Sequence, residues 1–379
     1  MTDSSSLKIA FMNIYGQSNI PTSKQLQIQD FLKFNKIDIL HMQEVNIESN
    51  TFESCDFISS QYNIIPNNSI SQYGTSSMVK NNLEISNTWC DTSGRAILFN
   101  IGSISFANFY APSGTDGATR ATRESFFSEV IPNLLINSQS TGLYGGDFNS
   151  IIEKQDATVH QQAKMSPSFK RLAKTFNWVD SFRVLHPTAT QFSRYYSNTR
   201  GDGATRIDRS YHCGNIEVKQ ARYLHIAFSD HFALLLEITV PESFTLMSSP
   251  KVIPFFRIKP EVVEDPQFQE NLAKAMSLWY DVRTFGLDIC SWWDSLVKPG
   301  IKRLALQKSR ELSKTKFEYL NLLRFRQMYL SKKVSEGSVE YLSELKAIHH
   351  SINEWYNRES EKIKLQSQAN EFQTEEKIG

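Results

Sequence analysis

Six short polar elements occur in the first two thirds of the chain, each at or near the end of a run typical of a β-strand. They are Asn13-Ile14-Tyr15-Gly16, Gln43-Glu44, Tyr110-Ala111-Pro112, Gly146-Asp147-Phe148-Asn149, Arg206-Ile207-Asp208-Arg209 and Ser229-Asp230-His231. Singly they are weak, because Asn13 could be a turn residue and Asp147 with Asn149 an Asx-type turn. His231 alone could be a half-buried core histidine. Together and in this order they favour a functional site, since such sites gather at strand ends.

The residue types in these elements indicate metal-assisted phosphoester hydrolysis. Carboxylates, amides and one imidazole suit a hard cation such as Mg²⁺, and no Ser or Cys nucleophile in a G-x-S-x-G turn accompanies them. In this chemistry the cation neutralises the phosphate and the leaving oxygen, while a carboxylate such as Asp147 orients and deprotonates water. An imidazole paired with a carboxylate can stay protonated and bind the phosphoryl oxygens.

The elements that must position these residues predict a mixed α/β domain up to about residue 240. β-rich runs between turn residues predict strands at residues 7–13, 37–43, 74–80, 95–101, 103–110, 141–147, 206–212 and 232–240. Helical periods predict helices at residues 22–35, 119–137 and 166–176. Almost continuous apolar runs, as at residues 232–236, are typical of strands that are covered on both faces.

The character of the sequence changes after Pro241, where several prolines indicate a linker. Residues 301–336 then follow a helical pattern with ten basic and three acidic residues, a net charge of +7. After Gly337 the pattern resumes with an apolar stripe. We therefore predict a catalytic domain at residues 1–241, a linker with short helices at residues 242–300 and a basic helical hairpin at residues 301–379. The basic run is either a solvated helix face or a nucleic-acid-binding surface.

Composition excludes several other classes of protein. Of the 379 residues, 40% are hydrophobic and 12% aromatic, which is enough to exclude a fully disordered chain. Because no run of 18 apolar residues occurs, we predict neither a membrane span nor a membrane partner. The first residues lack the basic and apolar regions of a secretory signal, which predicts an intracellular location.

Taken together, the six elements resemble the endonuclease/exonuclease/phosphatase superfamily over residues 7–240. The finer resemblance is to the endonuclease of LINE-type (non-LTR) retrotransposons. It rests on Arg123 with Phe126-Phe127, Asp180-Ser181-Phe182-Arg183 with His186-Pro187, Arg206-Ile207-Asp208-Arg209, and in the tail on Trp279 and Ser291-Trp292-Trp293-Asp294. The resemblance implies a four-layered α/β sandwich, in which two packed β-sheets are flanked by helices, followed by a mostly helical C-terminal region.

The resemblance also implies roles for individual residues. Metal ligands would be Asn13, Glu44 and Asp230; catalytic residues would be Tyr110, Asp147, Asn149, Asp208 and His231; phosphate or DNA contacts would be Ser193 and Arg206. Glu44 would be the principal ligand of Mg²⁺, with Mn²⁺ as a substitute. Asp208 would orient His231, and the sequence leaves open whether His231 acts as a base or as a phosphate clamp.

Three functions remain open at this point. The first is a Mg²⁺-dependent endonuclease that nicks duplex DNA in the nucleus, as in target-primed retrotransposition. The second is an abasic-site repair endonuclease or another phosphoesterase of the same superfamily, and the third is a catalytically idle nucleic-acid-binding remnant. Since none of the site positions is visibly lost, we favour the first. The expected partner is DNA, with RNA or DNA as the candidate ligand of the basic tail.

Overall fold

Most of the strands belong to two six-stranded mixed sheets. The structure, a computed structural model, describes residues 6–17, 20–48, 51–52, 55–69, 74–158, 166–198, 201–240, 258–283, 288–335 and 338–375. Its strands are β1 Ser6–Gln17, β2 Ile39–Val45, β3 Tyr62–Asn67, β4 Thr75–Lys80, β5 Ile85–Cys90, β6 Ala96–Ile101, β7 Ile104–Tyr110, β8 Thr141–Asp147, β9 Val179–Asp180, β10 Arg194–Asn198, β11 Gly201–Thr205, β12 Asp208–Cys213, β13 Val218–His225 and β14 Phe232–Thr239. The first sheet has the order β13-β14-β1-β2-β4-β3 and the second the order β5-β6-β7-β8-β12-β9, while β10 and β11 form a separate hairpin.

Helices lie between the strands and after them. They are α1 Thr22–Asn35, α2 Asp56–Gln61, α3 Gly117–Ser125, α4 Ile131–Leu135, α5 Pro167–Thr175, α6 Ser181–Leu185, α7 Pro260–Val263, α8 Pro266–Arg283, α9 Ile289–Trp292, α10 Lys298–Ser335 and α11 Leu342–Glu375. The single helix predicted at residues 119–137 is instead α3 and α4 joined by a π-helical turn, Phe126–Val130. Pro132 lies in the first turn of α4 and has no amide hydrogen to donate, which interrupts the regular ladder there.

The apolar strands are buried on both faces, as their sequences predict. In β1, Ile9 and Phe11 belong to the core between the two sheets, whereas Ala10 and Met12 belong to the core on the other face. This division follows from the two-residue period of a strand. The outer core of the first sheet includes Ile28 and Leu32 of α1.

The second sheet is covered in the same way. Its outer face packs against aromatic and aliphatic side chains of the helical segments, among them Phe126, Phe127, Leu134, Phe169 and Leu172. The order of layers is therefore helix, sheet, sheet, helix. This arrangement confirms the predicted four-layered sandwich with a helical C-terminal region.

The chain divides into two compact units. One contains residues 1–249 together with residues 326–379, and the other contains residues 250–325, so the border between them falls within α10. The second unit has its own small core of Val262, Phe268 and Ala305. The segment borders at residues 241 and 300 stay predictions. Among the described residues, no helix combines the length and the apolar character that crossing a membrane requires.

Candidate active site

Strand register brings the predicted site residues to one edge of the sandwich. Tyr110 pairs with Asp147 across the parallel strands β7 and β8, and Asp147 pairs with Asp208 across the antiparallel strands β8 and β12. In the other sheet, Asn13 of β1 pairs with Gln43 of β2. Residues that are far apart in sequence therefore become neighbours because of the sheet topology alone.

Asn13 joins the two sheets through its side chain. Its Nδ2 donates to Glu44 Oε1 over 3.1 Å and to Asp147 Oδ2 over 3.0 Å. Tyr110 Oη donates to the same Glu44 oxygen over 3.2 Å. Asn13 is fully buried, while Glu44 is half-buried. The NH₂ group of Asn13 has two hydrogens, so it can donate one hydrogen bond to the carboxylate of Glu44 and one to that of Asp147.

The segment Gly146–Asn149 has a backbone that few sequences allow. Gly146 has a φ of +136°, and a Cβ atom there would lie 2.0 Å from the backbone oxygen of Phe109. Asn149 has a φ of +44° and donates from its backbone N–H to Asp147 Oδ1 over 2.8 Å. Its Nδ2 donates to Ala111 O over 3.0 Å. Positive φ values in non-glycine residues are costly, and here they fix the direction of the Asp147 carboxylate.

His231 and Asp208 form a buried pair. Nδ1 of the imidazole lies 2.8 Å from one carboxylate oxygen of Asp208 and 3.0 Å from the other. Burial disfavours the imidazolium, but the charge and hydrogen bond of Asp208 outweigh burial and raise the pKa of His231 to about 9. The imidazole is therefore a cation at neutral pH.

Asp147 lies between two other acidic groups and a cation. Burial is the main reason why its pKa is raised to about 6, and Asp208 adds to the shift, while His231 opposes it. The closest approach of Asp147 Oδ2 to His231 Nδ1 is 4.0 Å. Near neutral pH Asp147 is thus an ionised carboxylate with an unusually high proton affinity, which suits a general base.

Tyr110 remains a neutral hydrogen-bond donor. Burial, and after it the negative charges of Glu44 and Asp147, raises the pKa of its phenol. The Arg95 guanidinium lies over the ring, 4.8 Å from the ring centre. The phenol of Tyr110 is therefore protonated at neutral pH.

Two groups of residues have donor atoms that suit a cation. Ligand atoms of Asp147, Asp208 and His231 lie within 4.8 Å of one another. However, Nδ1 of His231 shares its proton with Asp208, and a protonated nitrogen cannot ligate a metal. The other group is Glu44 with Asn13, where a carboxylate and an amide oxygen match a hard cation such as Mg²⁺. As placed, Asn13 presents Nδ2 to Glu44 and its Oδ1 accepts from the backbone N–H of Tyr15, so a cation at Glu44 would require the amide to turn.

One carboxylate oxygen of Asp230 accepts a hydrogen bond, and the other has no hydrogen-bond partner among the described residues. Oδ2 accepts a hydrogen bond from Arg194 Nε over 2.9 Å. Oδ1 is buried, has no hydrogen-bond partner among the described residues and lies 3.9 Å from His231 Nε2. A buried carboxylate oxygen of this kind fits a cation or a protonated ligand. Nothing in the sequence distinguishes Arg194 beyond its position after Ser193.

Ser193 and Arg206 lie behind the site rather than at its surface. Ser193 is fully buried, and its hydroxyl accepts the backbone N–H groups of Ile207 and Asp208 over 3.0 and 2.9 Å. Arg206 is 2% exposed and is paired with Asp156 and Asp180. The predicted phosphate contacts gain no support from this geometry, because both side chains are committed to internal partners. The arrangement fits a different task, which is to hold the backbone of Asp208.

Asp156 is a residue that the sequence analysis missed. Its two carboxylate oxygens accept hydrogen bonds from Arg206, Arg209 and Arg183 over 2.7 to 3.1 Å. Burial alone would raise the pKa of Asp156, but the charges of Arg209 and Arg206 outweigh it and lower the pKa. The only sequence signal is a lone Asp in a polar loop, which is too common to be diagnostic.

Comparisons with known proteins agree with this fold. No family profile matches the chain. The chain is 25% identical over 252 residues to the Transposon TX1 uncharacterized 149 kDa protein of Xenopus laevis, a match that covers 64% of this chain and 18% of that protein. The chain thus corresponds to less than a fifth of this relative's length.

Two solved structures share the fold at low sequence identity. The AP endonuclease LMAP from Leishmania major is 16% identical, with a TM-score of 0.51 over 62% of this chain and 88% of that chain. The 3′-5′ exonuclease NExo from Neisseria meningitidis is 17% identical, with a TM-score of 0.52 over 62% of this chain and 100% of that chain. The sandwich and these similarities show that the chain has the fold that these two structures share. With the transposon relative, the resemblance to the endonuclease domain of LINE-type retrotransposons is confirmed.

Proposed function

We propose that this protein is a divalent-metal-dependent phosphodiester hydrolase that nicks duplex DNA, as in target-primed retrotransposition. The observation that carries the proposal is the hydrogen-bonded network of Asn13, Glu44, Tyr110, Asp147 and Asn149, which adjoins the buried pair of Asp208 and His231. Each of these side chains has a charge or a donor that phosphodiester hydrolysis requires. A nuclear location follows from this proposal and stays a prediction.

The roles proposed for the residues follow from their protonation. Asp147, with a pKa of about 6, accepts the proton of the attacking water at neutral pH, and Asn149 holds it in place. His231, with a pKa of about 9, binds the phosphoryl oxygens as an imidazolium. Its charge therefore favours a role as a phosphate clamp over a role as a general base. Tyr110 donates a hydrogen bond to the scissile phosphate.

Glu44, Asn13 and Asp230 are the proposed ligands of Mg²⁺, with Mn²⁺ as a substitute. When bound, the cation would neutralise the charge that develops on the phosphate and on the leaving oxygen. The buried Oδ1 of Asp230, which has no hydrogen-bond partner among the described residues, supports this assignment. Ser193 then acts indirectly, by holding the backbone N–H of Asp208, while Arg206 is paired with Asp156 and Asp180. The contact of both side chains with DNA stays a prediction without support from the present contacts.

Nicking of supercoiled plasmid tests the proposal. We expect relaxation to the open circle with Mg²⁺ or Mn²⁺, none in EDTA, and none with Asp147→Ala. An inactive wild-type chain that still binds DNA would instead support the idle remnant. Nicking that persists in EDTA would contradict the metal dependence.

An abasic-site duplex distinguishes the second candidate function. The similarity to LMAP, whose name describes an AP endonuclease, is the observation that keeps this candidate open. We expect intact duplex to be cut as readily as the abasic duplex, with a 3′-hydroxyl that a polymerase can extend. A strong preference for abasic DNA would favour a repair enzyme.

The basic stretch at residues 301–336 is a second proposed nucleic-acid contact, for DNA or RNA. In the described structure α10 covers residues 298–335 as one helix, and basic residues such as Arg310 and Lys314 are exposed on it. A positive helix attached to a DNA-cutting domain adds salt-dependent affinity.

A further inference from the structure

The helices that follow residue 325 contact the short connection that carries the proposed metal ligand Asp230 and the candidate catalytic residue His231. We propose that the C-terminal end of α10 and α11 position this connection, residues 226–231, which we call the catalytic loop. The consequence for catalysis rests on the proposed function, whereas the positioning itself does not. The elements involved all belong to the same compact unit.

Polar contacts fix the beginning of the catalytic loop from the helical side. Asn353 of α11 donates from Nδ2 to Ala227 O over 2.9 Å. Gln327 of α10 donates from Nε2 to His225 O over 3.5 Å, a weaker contact. The imidazole rings of His349 and His225 lie 3.9 Å apart between their centres. The helices therefore hold two backbone carbonyls at the start of the loop.

The other end of the catalytic loop is fixed by the site itself. Ser229 Oγ donates to Asn13 O over 2.8 Å and accepts the backbone N–H of His231 over 3.1 Å. Ala227 and His231 are only four residues apart, so the length of backbone between the Asn353 contact and the imidazole is short. A shift of Ala227 would therefore move Ser229 and His231.

A second set of contacts connects α10 and α11 with the catalytic loop through the hairpin of β10 and β11. Tyr195 Oη donates to Val334 O over 3.3 Å, and the Tyr195 ring packs against Phe232 at 5.3 Å. Tyr195 also contacts an apolar cluster formed by Leu330, Val334, Leu342 and Leu345. The neighbouring residue, Arg194, holds Asp230. The same two helices thus support both ends of the Asp230-His231 segment.

The helices are themselves anchored on α1. Asn353 Oδ1 accepts from Gln27 Nε2 over 3.0 Å, and Tyr356 Oη donates to Asp30 Oδ2 over 2.6 Å. Ile352 and Tyr356 are buried, at 3% exposure each. Asn353 thereby connects α1 with the catalytic loop through one amide. The helix that contacts the catalytic loop is therefore itself held by α1.

The full-length chain with Asn353→Ala tests this proposal. Two variants serve as matched controls: Gln27→Ala removes the α1 contact of Asn353 but leaves its bond to Ala227, and Tyr356→Phe removes an anchor of the same helix away from the loop. For Asn353→Ala we expect a loss of about tenfold or more in the kcat of plasmid nicking, with KM within about twofold. For both controls we expect a smaller loss of kcat than for Asn353→Ala, because the bond from Asn353 to Ala227 O remains.

Hydrogen exchange of residues 226–232 is the second readout and does not depend on activity. We expect faster exchange there in Asn353→Ala than in either control. If Asn353→Ala does not fold, Asn353→Asp replaces it, since the carboxylate keeps the acceptor for Gln27 and puts a negatively charged oxygen in place of the donor to Ala227 O. Unchanged exchange in the catalytic loop, or a kcat no lower than in the controls, would overturn the proposal. A wild-type chain that does not nick, combined with the expected exchange pattern, would refute the proposed function and leave the positioning role supported.

Discussion

Asp208 Oδ2 lies 2.8 Å from His231 Nδ1, and both side chains are almost completely buried. The Asp208 backbone is held on both sides, by Ser193 Oγ at its N–H and by Tyr223 Oη at its carbonyl oxygen. The imidazole therefore meets a carboxylate whose position is set by the sheet, and the proton on Nδ1 is fixed by that hydrogen bond.

The first prediction concerns the charge of His231. In metal-free protein, Asp208→Asn should lower the pKa of His231 from about 9 toward its ordinary value of 6.5, because burial is then opposed only by the more distant carboxylates of Asp147 and Asp230. An NMR titration of the His231 ring measures this directly. Ser181→Ala, which alters the hydrogen bond to His212 instead, should leave the His231 titration unchanged. A pKa of His231 that stays near 9 in Asp208→Asn would refute this assignment.

The second prediction concerns the pH dependence of stability. A raised folded-state pKa means that the stabilisation from this pair is fully present below pH 6.5 and is lost as the pH rises through about 9. The difference in unfolding free energy between wild type and Asp208→Asn, on the order of 3 kcal/mol from the shift, should shrink over that range. Urea denaturation at pH 6 and at pH 9.5 measures it. A difference in unfolding free energy that grows with pH would contradict the prediction.

The third prediction separates rate from affinity at Asp147. Asp147→Asn keeps the size of the side chain but removes the base, so the nicking rate should fall by about three orders of magnitude or more. Duplex affinity, measured in Ca²⁺ to suppress cutting, should stay within a few-fold of the wild type. Parallel losses of rate and affinity would mean that Asp147 contributes to binding rather than to the transition state.

The fourth prediction concerns the proposed metal ligand Glu44. Glu44→Gln removes one negative charge but keeps the acceptor for Tyr110 and Asn13. The Mg²⁺ concentration that gives half-maximal nicking should rise by about tenfold or more, and high Mg²⁺ should restore part of the rate. The matched control is Glu48→Gln, a change of the same charge outside the network. Equal shifts in both variants would indicate a general electrostatic effect.

Local patterns were sufficient to predict the elements that carry the site. Strand β8 lies at the predicted residues 141–147, and helix α1 lies at the predicted residues 22–35. These elements depend on apolar periods and turn residues that lie within them. The six polar elements were recognisable because each one lies at or near an end of a predicted strand.

The contacts that complete the site could not be predicted in this way. Strands β10 and β11 lack a distinct apolar period, and the bond between Tyr356 and Asp30 joins residues 326 positions apart. The resemblance implied a phosphate contact for Arg206, although a basic residue beside a site is equally compatible with an internal ion pair. Only the positions of Asp156 and Asp180 distinguish the two, and those positions depend on the tertiary fold.

The last prediction concerns the basic stretch of α10, and it requires substitutions rather than truncation, since truncation would also remove the helices that contact the catalytic loop. Arg310 and Lys314 are exposed and four residues apart, so they lie on one face of α10. In an Asp147→Asn background, replacing both by Gln should flatten the slope of log K against log[salt] for duplex binding by up to about 1.8, which is about 0.9 for each phosphate that the helix no longer neutralises. Lys170→Gln with Lys174→Gln removes two exposed charges at the same spacing from α5 and should leave the slope unchanged. Equal slopes for all three proteins would mean that the face of α10 with Arg310 and Lys314 is solvated and does not contact DNA.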